Sequence, residues 1–207
     1  MHPNRAFRDV ETARNIAFAR EQGFGILTVA NGAEVPFVSH VPFLLSEDGQ
    51  LAELHLARPN PIVGALAAPL RARLVVAGPH GYISPDWYGV EDQVPTWNYV
   101  AVHLTGTLEL AEGEGFRDLL DRQSAEFEER LLPKTPWRSE KMTEGLMERM
   151  MRAIVPVRMA VDDIDATWKL SQNKPDAVRL AAAEGVEAAG DPVLATHMRN
   201  PPPRGDG

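Results

Sequence analysis

Cysteine is absent from this sequence of 207 residues. Its absence excludes a disulfide framework, a thiolate nucleophile and any zinc site built on cysteine ligands. A chain without disulfides suits a reducing compartment, so we expect a cytoplasmic protein. The N-terminal stretch MHPNRAFRDVETARN has no basic segment followed by an apolar one. We therefore predict that it is not a signal peptide.

Positive charge is scarce, and long apolar runs are missing. Lys and Arg number 21 against 29 Asp and Glu, which gives a formal net charge of −8. Proteins that read duplex DNA usually present a basic face, because phosphate neutralisation supplies most of their affinity. We therefore expect no direct DNA binding. No apolar run approaches the roughly 20 residues of a membrane span, so no membrane association is expected either.

The common nucleotide-binding and hydrolase signatures are also missing. The sequence contains no GxGxxG, GxxxxGK[ST] or GxSxG motif. Its strand-like segments do not alternate with helices, which argues against a Rossmann arrangement. The length, with 44% hydrophobic and 24% charged residues, predicts an ordinary globular domain.

Alternating apolar residues predict about six antiparallel strands. Asn31-Gly32 and Asp48-Gly49 are typical two-residue hairpin turns, so the first three strands should form a meander. The expected strands lie at 23–31, 34–47, 51–58, 71–78, 95–110 and 154–170. We expect a loop over 79–95 and a kink in the fifth strand at Gly106.

Helical periodicity appears between and after these strands. The predicted helices cover 9–22, 113–132, a segment with Met142, Leu146, Met147, Met150 and Met151, and short stretches starting at Pro61, Pro175 and Asp191-Pro192. We expect a mainly β fold with helices (α+β), namely a small antiparallel barrel with helices packed alongside. One domain should span 1–190 with a helical insertion at about 113–152. A C-terminal helix and a disordered tail should occupy 191–207.

The histidines do not indicate a metal site. Four of the six, His40, His55, His80 and His103, fall in the strand region. None has the i, i+4 spacing of helical ligand pairs, and no carboxylates accompany them in a ligand pattern. We interpret them as hydrogen-bonded core or pocket residues and predict no metal.

The segment HLARPNP at 55–61 combines three features that suit an anion. A strand ends, Arg58 follows, and Asn60 caps a helix that Pro61 begins. A guanidinium fork and an amide donor match the oxygens of a phosphate. The alternative is that Arg58 pairs with a surface carboxylate and that Asn60 only caps the helix.

Two stretches that contain prolines are rich in aromatic residues, namely GPHGYISPDWY at 78–88 and VPTWNYVAVH at 94–103. Alternation places Trp97 and Tyr99 on one face of their strand and Asn98 on the other. These rings suit a flat ligand, but packing at a barrel mouth or a dimer seam explains them equally well. In WKLSQNKP at 168–175, Lys169 and Lys174 could bind an anion or be solvated.

In this order, HLARPNP, GPHGYISPDWY, VPTWNYVAVHLTG and WKLSQNKP resemble the PaiB-type family of FMN-binding negative transcriptional regulators. That family resembles the wider FMN-binding split barrels, including the pyridoxamine-phosphate oxidases. The resemblance implies an antiparallel Greek-key split β-barrel of the FMN-binding type. It also implies a homodimer with FMN at the subunit interface.

The resemblance further implies which residues meet the cofactor. The segment Ser39–Phe43 resembles the strand beside the isoalloxazine, and His55–Asn60 resembles the phosphate-binding turn. Arg58-Pro59-Asn60 replaces the usual Ser-Arg-Lys pattern of the oxidases, and Trp168-Lys169 resembles a late aromatic-plus-basic feature. The expected FMN contacts are Ser39, His40, Val41, Pro42, Phe43, His55, Ala57, Arg58, Asn60, Trp97, Asn98 and Lys169.

Three functions remain open from the sequence. The first is a flavoprotein in which FMN performs redox chemistry on a small ligand. No general acid or base is evident, and His40, His55 and His103 are the first candidates for proton transfer. The second is a regulator that acts through DNA or protein, although no helix-turn-helix signature is present. The third is haem binding, because some split barrels resemble haem-handling proteins.

Overall fold

A computed structural model of the protein describes residues 2–32, 34–111 and 115–203. The strands are β1 (Phe24–Asn31), β2 (Glu34–Leu45), β3 (Leu51–Ala57), β4 (Leu70–Ile83), β5 (Thr96–Leu110) and β6 (Ile154–Lys169). The helices are α1 (Thr12–Gln22), α2 (Pro61–Ala65), α3 (Phe116–Glu129), α4 (Leu146–Met151), α5 (Asp176–Ala188) and α6 (Pro192–Arg199). In this part of the chain, no helix is both long enough and apolar enough to cross a membrane.

The strands are hydrogen-bonded in the order β1-β2-β3-β6-β5-β4, which closes into a barrel. Antiparallel pairing places Phe24 opposite Pro42 in β1 and β2. It places Leu51 opposite Ala160 in β3 and β6. Gly32 and Gly49 follow β1 and β2 with φ of 55° and 74°, the left-handed conformation that hairpin turns require. The predicted antiparallel barrel and its opening meander are confirmed.

The described residues divide into two compact units. The first comprises those of Met1–Gln22, Val75–His103 and Ile164–Gly207, and the second those of Gly23–Leu74 and Leu104–Asp163. Strands β4, β5 and β6 each run from one unit into the other. We refer to them as the terminal unit and the central unit, and each has its own buried apolar side chains.

The core of the central unit comes from alternate residues of its strands. In β3, Ala52, Leu54 and Leu56 are buried, while Glu53 and His55 face outward. Helix α3 covers that outward face, where the Arg122 guanidinium binds both carboxylate oxygens of Glu53 at 2.9 and 3.0 Å. This hydrogen bond is the main reason that the pKa of Arg122 is raised. On the side of α3 that faces the sheet, Leu119, Leu120 and Gln123 are buried.

The core of the terminal unit is organised around Trp168. Its ring is fully buried, contacts the Phe18 ring edge-on at 5.2 Å, and donates from Nε1 to Asn15 Oδ1 at 2.8 Å. The same unit contains α5 and α6, and Asp191 caps α6 by accepting from the Leu194 backbone N–H. The predicted helix at Asp191-Pro192 is thus present. The expected disorder of the final residues lies largely outside the described residues.

Two sequence expectations were wrong in detail. The loop expected over 79–95 begins later, because β4 continues to Ile83. Gly78 of β4 does not serve as a turn residue. It makes room for the Phe18 ring, which would lie 2.5 Å from a Cβ at this position. Strand β5 runs through Gly106, where the missing side chain leaves room for the backbone of Ala160. The second mid-chain helix starts only at Leu146, after Gly145 with φ 72°, and buries no side chain.

Candidate functional site

The turn between β3 and α2 holds the predicted phosphate motif. The Asn60 backbone N–H donates to the Ala57 carbonyl at 2.9 Å and closes the turn. The Asn60 side chain accepts from the Ile62 N–H at 3.0 Å, and Pro61 occupies the first helical position. The predicted capped helix is confirmed. We call residues 57–60 the anion turn.

Arg58 is held by backbone carbonyls and not by a carboxylate. Its Nε donates to the Arg152 carbonyl at 2.7 Å, and its Nη2 donates to the Ile154 carbonyl at 3.1 Å. A guanidinium has five N–H donors. Three of them therefore have no acceptor among the described residues. The two carbonyls orient the exposed guanidinium and leave it able to bind an anion.

Ser39 adds a hydroxyl to the anion turn. Asn60 Nδ2 donates to Ser39 Oγ at 3.0 Å, which brings β2 and the turn together. The second amide N–H of Asn60 and the hydroxyl hydrogen of Ser39 have no acceptor within the described ranges. Helix α2 has only five residues, so its dipole is small, and the side-chain donors must provide most of the attraction for a phosphate.

The remaining predicted residues of β2 divide between two environments. Val41 and Phe43 are buried in the core, so only their backbone is available to a ligand. Pro42 is half-buried, and His40 is exposed with its ring stacked on Phe24 at 6.4 Å between centroids. The structure therefore joins Ser39 to Asn60 by a hydrogen bond, places Arg58 in the same turn as Asn60, and buries Val41 and Phe43.

The outward side of β1 and β2 forms an exposed apolar surface. Phe24 is 52% exposed and Val38 is 55% exposed. The pairing of the two strands places Ile26 opposite His40 and Thr28 opposite Val38. We call the following set the β1–β2 face: Phe24, Ile26, Thr28, Val38, His40 and Pro42. Large exposed apolar side chains side by side on a sheet are typical of an interface or a ligand site.

His55 lies beneath helix α3. Burial lowers its pKa, and the facing Gln123 side chain partly opposes that effect. Neither His55 Nδ1 nor Gln123 Nε2 has a hydrogen-bond partner among the described residues. Ala57, at the end of the same strand, is exposed. The imidazole of His55 is therefore covered by protein, which makes it a poor contact for a cofactor.

The terminal unit contains the other predicted positions. Trp97 is 55% exposed and has His80 and Tyr82 as ring neighbours, at 6.5 and 6.3 Å between centroids. The predicted alternation along β5 is confirmed, because Asn98 is buried and donates to Ser171 Oγ at 2.9 Å. Lys169 donates to Thr96 Oγ1 at 2.5 Å, and burial lowers its pKa.

Sequence reasoning missed Ser171 and Tyr88, whose hydroxyls lie 3.3 Å apart in this region. The signal for Ser171 was the unusually polar stretch after β6, and the signal for Tyr88 was the aromatic-rich stretch 78–88. Among the described residues, no three His, Asp or Glu side chains cluster in a way that could hold a metal.

Comparison with known families shows which family this chain belongs to. Residues 1–163 match the family model described as "Putative FMN-binding domain". The chain belongs to this family. The prediction of FMN as the cofactor is thereby confirmed at the level of the family.

Individual relatives agree with this assignment. "Protease synthase and sporulation protein PAI 2" of Bacillus subtilis is 33% identical over 160 residues, covering 76% of this chain and 75% of the relative. An uncharacterised protein of Emericella nidulans is 25% identical over 83% of this chain and 84% of that protein's length. The resemblance to PaiB-type proteins is confirmed.

Solved structures support the fold. A FAD- and haem-binding protein of Mycobacterium smegmatis has a TM-score of 0.57 at 16% identity, covering 88% of this chain and 80% of its own. A protein of Bacteroides thetaiotaomicron described in connection with 5-nitroimidazole resistance has a TM-score of 0.53 at 13% identity, covering 75% and 82%. The likeness extends over most of each chain, and the flavin-binding split-barrel fold is confirmed.

Proposed function

We propose that this flavoprotein uses FMN for redox chemistry on a small ligand and anchors the FMN phosphate at the anion turn. The observation that carries the proposal is the arrangement of Ser39, Arg58 and Asn60. Arg58 and Asn60 lie on one turn, Ser39 of β2 is hydrogen-bonded to that Asn60, and two backbone carbonyls already fix the orientation of the guanidinium. The family match supports FMN as the molecule that these donors bind.

The donor set fits a phosphate group. Arginine N–H groups and a serine hydroxyl form short, charge-assisted bonds to phosphate oxygens, and each such bond contributes more than a neutral one. When bound, FMN supplies electron and hydride transfer, while the protein supplies binding and orientation. Arg58 and Ser39 would hold the phosphate end. His40 is the only exposed histidine on the β1–β2 face and is the proposed proton donor there.

We further propose that a second copy of the chain covers the β1–β2 face. Apolar side chains such as Phe24 and Val38 gain from leaving water, at about 25 cal/mol per Å². A two-fold dimer needs only one self-complementary surface, and it is the commonest assembly of soluble proteins. In the terminal unit, the Trp97 ring is exposed, whereas Asn98 is fully buried and supports Ser171.

The visible spectrum of the purified protein tests the flavin proposal. We expect the two absorption bands of oxidised flavin, their loss on photoreduction, and release of FMN identified by mass spectrometry. A Soret band would favour the haem alternative. A colourless protein that cannot be loaded with FMN would contradict the proposal.

Light scattering tests the dimer. We expect the wild-type protein to be dimeric and Val38→Glu to be monomeric, because a carboxylate in the covered face would have to be desolvated. Val193→Glu is the matched control, since Val193 is equally exposed but lies on α6. A wild-type monomer with full FMN occupancy would refute the dimer without touching the flavin proposal.

A regulatory role, which the resemblance to PaiB-type regulators implies, would then depend on the flavin or on a protein partner. The arginines of α3 and of its C-terminal cap are already paired with carboxylates: Arg117 with Asp121, Arg122 with Asp118, and Arg130 with Glu126. This pairing leaves little positive field for DNA.

A further inference from the structure

The terminal unit contains a cavity that the flavin proposal does not use. Its volume is about 220 Å³, and we call it the lysine cavity. The side chains that line it and matter here are Tyr88, Thr96, Asn98, Lys169, Ser171 and Lys174. The whole sequence has only four lysines, and two of them line this one cavity. The other two belong to the central unit, where Lys134 pairs with Glu128 and Lys141 donates to the Pro136 carbonyl.

Neutral acceptors hold both lysines of the cavity. Lys169 Nζ donates to Thr96 Oγ1, while Lys174 Nζ donates to Gln93 Oε1 and lies 4.3 Å from the centroid of the Tyr88 ring. Within residues 2–32, 34–111 and 115–203, neither lysine forms an ion pair with a carboxylate. Each ammonium has three N–H donors, so each keeps donors for a further acceptor. Burial lowers the pKa of Lys169, as expected for a partly desolvated cation without a counter-ion.

The cavity carries a net positive charge. Asp92 is the one carboxylate that lines it, against the two lysines. One negative and two positive charges leave an excess of about one positive charge. A second positive charge beside an existing one costs free energy, so an anion that enters is stabilised by both lysines.

The wall behind the lysines is a buried polar network. Asn98 is 0% exposed, Tyr88 2% and Ser171 3%. Asn98 Nδ2 donates to Ser171 Oγ at 2.9 Å, and the Tyr88 hydroxyl lies 3.3 Å from the same oxygen. Burying three polar groups costs free energy unless they are paired, and here they are paired with one another. The network fixes the Ser171 hydroxyl at the cavity surface.

Backbone strain is concentrated at the same place. Among the described residues, Asp92 and Ser171 are the non-glycine residues with positive φ, at 59° and 63°. Both line the lysine cavity. This conformation is unfavourable for a residue with a side chain, and such strain clusters at ligand sites. Its occurrence twice around a single cavity is an independent sign that the cavity binds a ligand.

We propose that the lysine cavity binds a small oxyanion, the carboxylate or phosphate group of a molecule other than FMN. Lys169 and Lys174 provide the charge, and Ser171 provides a fixed hydroxyl. A water molecule takes about 30 Å³ of liquid volume, so the cavity has room for a small organic acid or a phosphate group. The proposal does not depend on the anion turn and can fail separately from it.

The test uses the full-length, FMN-loaded protein with inorganic phosphate and acetate as probes at constant ionic strength. We expect saturable binding by calorimetry, and the stronger of the two probes tells a phosphate site from a carboxylate site. Lys174→Gln and Lys169→Gln should each weaken binding at least about tenfold, because each removes a charge-assisted bond. Lys141→Gln removes the same charge elsewhere and should leave binding unchanged.

Arginine variants guard against a folding artefact. Lys174→Arg and Lys169→Arg keep the positive charge and should retain binding to within a few-fold of wild type. The proposal is overturned if neither probe binds saturably. It also fails if Lys141→Gln weakens binding as much as the cavity variants, or if the arginine variants lose binding as completely as the glutamine ones. Loss of FMN with retention of riboflavin in Lys174→Gln would overturn it too, because the cavity would then hold the cofactor's own phosphate.

Discussion

Arg58 is the residue on which the assignment of the phosphate site depends. We expect Arg58→Ala to weaken FMN binding by about one to two decades, which corresponds to roughly 1.5–3 kcal/mol for one charge-assisted contact. The FMN dissociation constant, measured by flavin fluorescence, checks this. Arg158→Ala is the control, because Arg158 is also exposed and its partner is Glu109. An unchanged dissociation constant in folded Arg58→Ala would remove Arg58 from the site.

Two glycines with opposite surroundings give a prediction about stability. A Cβ on Gly106 would lie 2.1 Å from the Ala160 carbonyl oxygen, whereas a Cβ on Gly64 would meet nothing within 4 Å. Gly106→Ala should therefore destabilise the protein by about 3 kcal/mol or more, or prevent folding. Gly64→Ala, in helix α2, should stabilise it by about 0.5–1 kcal/mol. Chemical denaturation measures both, and equal effects would show that the strand contact at Gly106 is looser than described.

Individual residues also differ in whether their roles could be predicted from the sequence. Arg58 and Asn60 could be predicted because a strand end, a cap and a proline are local signals that survive into the fold. Ser171 could not be predicted. Serine has no intrinsic preference for a positive φ, so its conformation depends on Asn98 and Tyr88, which are distant in the sequence.

At the scale of elements, the strands were predictable wherever burial alternates. Strand β5 follows a strict alternation from Asn98 to Leu108, and its limits matched the expectation closely. The C-terminal end of β4 was missed because Gly78 and Gly81 look like turn signals. A Cβ at Gly81 would come 2.9 Å from the Leu194 side chain, so both glycines make room for packed side chains. Such contacts between distant segments have no local signature.

The packing of α3 on β3 leads to a prediction about pH. Burial lowers the pKa of His55 below its ordinary value near 6.5. The unfolded chain then binds a proton as pH falls through 6.5, whereas the folded protein resists it, so the free energy of unfolding decreases as pH falls. This loss begins near pH 7 and ends once the pH is below the folded pKa of His55.

We expect His55→Gln to make the free energy of unfolding less dependent on pH in that window. Part of the dependence should remain, because burial also lowers the pKa of His2 and of His197. Urea denaturation at a series of pH values measures the slope, with His80→Gln as the exposed control. An identical slope in wild type and His55→Gln would show that α3 does not shield the imidazole.

At the scale of the whole molecule, the net charge does not show how positive charge is distributed among local sites. The net charge of −8 determines the overall electrostatic field that a large partner meets. It did not reveal the lysine cavity, because Lys169 and Lys174 meet Thr96 and Gln93 only when the end of β6 and the segment before β5 come together. An acidic chain can therefore bind a small anion locally while its overall field repels a polyanion.

This contrast supports the prediction that direct duplex-DNA binding will be weak and non-specific. The segment 113–152 has the densest arginines, but Arg117, Arg122 and Arg130 are paired with carboxylates of α3, and Arg117 also reaches Glu148. Binding to DNA would have to break these pairs or compete with their negative charge before any phosphate contact is gained. Fluorescence anisotropy at physiological salt, with the protein's own promoter and a scrambled duplex, is the measurement. Specific regulators bind about 10³–10⁷ times tighter to their site than to random DNA. Nanomolar binding with such a preference would place a DNA-binding regulator ahead of the flavin-dependent redox protein.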